Sequence, residues 1–166
     1  MRNIVAFPVL GLAVILQASI VSQIRLLSGY GDLPLVILAA WALQDRVESA
    51  WHWAILASLM VGFISAMAWP VIVIGYLAAV FFAQVLQKRV WQAPLLAMFS
   101  VTFAGTILMN VFSYVVLRIL GTPLSAGDVG GLITLPGLLL NILFAIPVYT
   151  IMRDLARWVY PSEEYA

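Results

Sequence analysis

The chain has 166 residues, 64% of them apolar and 9% charged, with a formal net charge of +1 and no cysteine. That composition leaves no room for a soluble domain beside membrane helices, so one membrane domain is expected over residues 1–166. Disulfides, thiolate metal sites and cysteine nucleophiles are excluded, and the scattered basic residues form no patch for a nucleic acid.

Eight basic and seven acidic side chains all fall in or beside the gaps between six apolar segments. A bilayer core of roughly 30 Å takes about 20 helical residues to cross, so repeated uncharged runs of that order read as transmembrane helices. The same pattern predicts a membrane interior without an ionisable group, which disfavours a proton relay or a buried catalytic centre.

The first predicted helix spans 4–23, with Pro8 in its early turns, where a missing N–H costs least. Arg2 and the apolar run after it imitate a signal peptide, but the apolar character continues to Ile24 and an uncleaved helix is expected. Ser28, Gly29, Tyr30, Gly31 and Asp32 then form a cluster of turn residues. The second helix, 33–43, has Asp32 as its cap and Pro34 in its first turn, and at 1.5 Å per residue it covers only about half a membrane. It must borrow length, thin the bilayer or be sheltered by its neighbours.

No charge falls between His52 and Lys88, a run that as one helix would extend on the order of 52 Å. Trp69-Pro70 is the expected break, giving helices over 50–68 and 70–86. A fifth helix is predicted over 94–120, stopped by Gly121, Thr122 and Pro123. After a loop to Gly131, the sixth covers 132–152 and carries Pro136, Asn141 and Pro147. Arg2, Arg46, Lys88, Arg89, Arg153 and Arg157 fall on one side of this plan and only Arg25 and Arg118 on the other. The positive-inside rule then puts both termini in the cytoplasm. All six tryptophans lie at predicted segment ends, as an interfacial belt would place Trp41, Trp51, Trp53, Trp69, Trp91 and Trp158.

Two helix faces are candidate interfaces for a partner's helix. Ala54, Ser58, Gly62 and Ala66 recur every fourth residue on helix three, echoed by Gly75, Ala79 and Ala83 on helix four. Such ridges let backbones approach closely, either a partner's or one another's. On helix five Thr102, Thr106, Asn110 and Ser113 share one face, which Asn141 of helix six can meet. That stripe fits interhelical hydrogen bonding inside the bundle, a small-molecule cavity or a partner groove. His52 stands alone, without the further ligands a metal needs, and no serine has an evident base. No catalytic residue, metal or cofactor is expected.

Gly31-Asp32-Leu33-Pro34 opening a short helix that closes on Trp41-Ala42-Leu43, Gly75-Tyr76-Leu77 in helix four, and Pro136, Asn141-Ile142-Leu143 and Ala145-Ile146-Pro147 in helix six carry a resemblance. In that order and spacing the chain resembles the bacterial rod shape-determining protein MreD family. It departs from the family's pattern between helices three and four, where Ile64-Ser65-Ala66 and Trp69-Pro70 replace an acidic, Ser/Gly-rich turn. The resemblance implies an all-α, six-span protein of the bacterial cytoplasmic membrane, with a fold like that of the substrate-binding components of energy-coupling-factor transporters. It also implies a non-catalytic role in side-wall peptidoglycan synthesis and cell shape. The implied partners are an MreC-type bitopic protein and, through it, the shape-determining glycosyltransferase and its transpeptidase. The alternative from another class is a substrate-binding component of an energy-coupling-factor vitamin or metal transporter, which needs an outward cavity with convergent polar groups.

Overall fold

The computed structural model describes residues 2–45, 47–89, 93–123 and 125–161. Arg46 and Trp91, used above for orientation and for the aromatic belt, lie outside the described residues, as does the side chain of Arg2. The protein is all-α apart from one small hairpin. Helix α1 covers Ala6–Ser19, and strands β1, Arg25–Leu26, and β2, Gly29–Tyr30, pair antiparallel. Then come α2, Leu33–Ala42, α3, Ala50–Ile64, α4, Trp69–Arg89, and α5, Pro94–Ile119. A one-turn helix α6, Ala126–Asp128, leads through a π-helical turn, Val129–Thr134, into α7, Leu135–Val159. Four stretches, Ala6–Gln23, Trp69–Arg89, Pro94–Ile119 and Ala126–Val159, are long and apolar enough to cross a membrane, whereas α2 and α3 are shorter apolar helices.

The architecture is organised around the shortest principal helix. All ten residues of α2 are buried, and α1, α3, α4, α5 and α7 each pack against it. A helix apolar on every side belongs in an interior, and here the interior is that of the chain's own bundle. The outward faces of the surrounding helices carry Phe7, Phe63, Phe81, Leu143 and Ile151 exposed. So continuous an apolar exterior suits hydrocarbon as its solvent.

Several helix boundaries differ from the sequence reading: the α-helix of the first segment ends at Ser19, not Gln23, and passes into a 3-10 turn, Val21–Gln23, and helix four runs to Arg89, not Leu86. Helix three stops at Ile64, not Ala68, because Ser65 turns extended and its hydroxyl accepts the Met67 N–H at 3.1 Å. Ala66 therefore leaves the ridge and lies exposed in the connection. The chain does reverse beside Trp69, whose indole N–H donates to the Gly62 carbonyl at 2.6 Å and ties the start of α4 to the end of α3. The last helix is longer than 132–152 at both ends. Ser125 and Asp128 form a reciprocal cap that starts helical structure at Ala126, within the stretch expected as loop. At the other end, helical structure continues to Val159. Helix α5 ends as expected: Thr122 N–H reaches Leu117 O, Gly121 N–H reaches Arg118 O, and Gly121 takes a φ of +84°.

Two of the six tryptophans depart from the belt. Trp41 and Trp53 are fully buried and stacked, ring centroids 4.2 Å apart, between the end of α2 and the start of α3. Trp51, Trp69 and Trp158 are exposed.

Candidate functional site: a capped helix end inside the bundle

Any helix leaves its first N–H groups without partners, and inside a membrane no water is at hand to take them. At the start of α2 every one is accounted for. Asp32 N–H donates to Asn141 Oδ1 of α7 at 2.6 Å, Leu33 N–H to Gln17 Oε1 of α1 at 2.9 Å, and Leu35 N–H to Asp32 Oδ1 at 3.1 Å. Pro34 has no N–H to satisfy. Gln17 also donates its amide N–H to Gly31 O at 2.8 Å, so one side chain clamps the chain on both sides of Asp32. Tyr76 of α4 donates its hydroxyl to Asp32 Oδ1 at 3.0 Å.

The opposite end of α2 is handled the same way. Gln44 donates its side-chain N–H to Ala40 O at 2.8 Å, and Gln87, near the end of α4, donates to Gln44 O at 2.7 Å. That last bond puts the C-terminal ends of α2 and α4 at one level, which fixes the depth of Asp32. From Tyr76 to Gln87 the rise is about 16 Å, close to the length of α2, and from Trp69 to Tyr76 it is about 10 Å. Asp32 thus sits roughly 10 Å inward of the start of α4. One ionisable group, Asp32, therefore lies inside the bundle. In sequence Asp32 lies in a gap between apolar segments, but in space the gap is folded into the bundle.

The hairpin makes this possible. Strand β2 lies against the start of α7 so closely that a Cβ at Gly29 would come within 2.6 Å of the Gly137 backbone nitrogen. Gly31 is pressed by Phe144 in the same manner. Ser28 N–H donates to Leu132 O at 3.1 Å and completes the seam. Without side chains at 29 and 31 the chain can descend along α7 before α2 begins.

Two cavities meet at Asp32. A polar recess of about 40 Å³, bordered by Asp32, Thr106, Asn110 and Asn141, has room for a water molecule or two. A larger one, about 330 Å³, lies among the ends of α1 and α3, the hairpin and α4. Its polar wall comprises Gln17, Ser22, Tyr30, Asp32, Ser65 and Tyr76. Val61, Ile64, Met67 and Met109 add apolar side chains to the lining.

The predicted interface residues, Ala66 excepted, occupy the interior. Ala54, Ser58 and Gly62 are buried, with the Trp69 indole over Gly62. Gly75 and Ala79 of α4 face α5: a Cβ at Gly75 would overlap the Met109 sulfur, and one at Gly105 would meet Ala79. Thr102, Thr106 and Asn141 are buried and Asn110 is half-buried. Asn141 Nδ2 donates to Thr106 Oγ1 at 2.9 Å, while Thr106, Asn110 and Ser113 each donate back to a carbonyl one turn earlier. Thr102 Oγ1 has no partner among the described residues.

Asp32 is the residue the sequence reading undervalued, as the cap of α2 and part of the motif that carries the resemblance, and Tyr30 was read only as a turn residue. The signal was arithmetic. A helix of ten residues spans about 15 Å, so its cap must lie at depth on at least one side.

Comparison of the chain with protein-family models, with curated proteins and with solved structures returns no match.

Proposed function

We propose that this protein is a non-catalytic, six-span subunit of the cell-elongation machinery in the bacterial cytoplasmic membrane, with both termini in the cytoplasm. It would bind an MreC-type bitopic protein and, through it, the shape-determining glycosyltransferase and transpeptidase. The observation that carries the reading is convergence. The segments on which the MreD resemblance rests are scattered from residue 31 to residue 147, yet Asp32 bonds to both Tyr76 and Asn141. Apolar helices that matched by composition alone would have no reason to bring those three side chains together. Because Ala54, Ser58, Gly62, Thr102, Thr106 and Asn141 are covered by the chain's own helices, a partner's span meets an outward face in this reading.

A second reading, a substrate-binding component of an energy-coupling-factor transporter, is favoured by the cavity above Asp32. One experiment separates the two. The tagged chain, extracted from its own host in mild detergent, is expected to retain the bitopic protein, and its depletion is expected to round rod-shaped cells. Unchanged shape on depletion, with transporter ATPases retained in place of the bitopic protein, overturns the first reading in favour of the second.

A further inference from the structure

We propose that the larger cavity is a binding site for a small organic ammonium compound with an apolar body. Its lining includes the Asp32 carboxylate, whose charge no cation among the described residues balances. Arg153 pairs with Asp154 at 3.4 Å, and no ion pair to Asp32 is seen among the described residues. Oδ1 of Asp32 is occupied by Leu35 N–H and the Tyr76 hydroxyl, whereas no hydrogen bond reaches Oδ2 among the described residues. A carboxylate held in that setting gains most from a ligand that donates hydrogen bonds and carries positive charge.

Three observations narrow the cation. No group of three His, Cys, Asp or Glu side chains that could hold a metal occurs among the described residues, and a single carboxylate is a poor cage for a divalent ion. Tyr30 and Tyr76 line the same cavity as Asp32, and phenol rings attract an ammonium through their negative faces. The apolar lining residues Val61, Ile64, Met67 and Met109 offer nothing to a second charge and suit a hydrocarbon body. A volume of about 330 Å³ lies at the lower end of the 300–1,000 Å³ or so typical of ligand sites, so the compound is small. The N-terminus of α2 is not the recognition element, since its N–H groups are already satisfied.

The inference goes beyond both readings of function. Occupancy is read on the purified chain, so failure of the partner or transporter assignment leaves it standing, and its own failure leaves them. Thermal unfolding of the detergent-solubilised protein is followed with phenethylamine and butylamine, and with 2-phenylethanol and butanol as uncharged counterparts. A saturable rise in Tm with the amines is expected, about 3–6 °C at ten times the dissociation constant, and none with the alcohols. Asp32→Asn keeps an oxygen for Leu35 N–H and for Tyr76 and is expected to abolish the rise. Val61→Trp, which fills the cavity from α3 and leaves the carboxylate in place, should abolish it too. Equal shifts with amines and alcohols, no saturable shift in the natural chain, or a shift that survives either substitution overturns the proposal.

Discussion

At the scale of single residues, the polar side chains of the interior differ in what they hold. Thr106 accepts from Asn141 Nδ2, and its loss frees that amide beside a recess with room for a water while stranding no backbone group. Asn141 accepts the N–H of Asp32, at the head of a helix enclosed by the bundle. Removing it orphans a buried donor, at a cost of about 1–3 kcal/mol, against roughly 0.6 kcal/mol for an ordinary interhelical hydrogen bond in a membrane. Asn141→Leu is therefore expected to destabilise the protein more than Thr106→Ala does, measured by denaturant titration in mixed micelles. The polar stripe on α5 was legible from its spacing, and so was its meeting with Asn141. The gap between the two costs was not, because nothing in the order of residues says that Asn141 grips a main-chain N–H 109 positions away.

At the scale of elements, the hairpin and the start of α7 act as one piece, held by approaches only glycine permits. Gly29→Ala must push against backbone, not against the yielding end of a side chain, and overpacking of that kind costs about 1–3 kcal/mol. Gly127→Ala, with open space around it, is expected to be neutral in the same thermal unfolding measurement. Helix positions followed from charge-free runs and from proline and tryptophan, and α2 and α5 lie within a residue or two of their predicted ends. The errors have local causes. The Ser65 side chain stops α3 early, and the cap formed by Ser125 and Asp128 begins a helix where three glycines argued for a loop. The second of these was readable as a capping pattern. The hairpin was not, since two residues per strand leave no periodicity to detect.

At the scale of the whole molecule, hydrogen bonds set which helix ends share a side. Ser49, at the start of α3, lies 3.3 Å from the Tyr160 hydroxyl just past α7, and Gln87 of α4 reaches the end of α2. Lys88, Arg89, Arg153 and Arg157 belong to that end of the bundle, Arg25 and Arg118 to the other. The absence of cysteine makes orientation direct to test, because a single introduced thiol has no background. Gly127→Cys is expected to react with an impermeant maleimide on intact spheroplasts, and Trp158→Cys only after the membrane is opened; the reverse pattern would invert the topology. The enclosure of α2 also bears on how the protein is made. A segment of ten apolar residues is too short for the insertion machinery to release into lipid as a span of its own, and once in place it touches no lipid. Four of the five helices that bury it, α3, α4, α5 and α7, follow it in the chain, so the carboxylate at its head is enclosed only once they have packed.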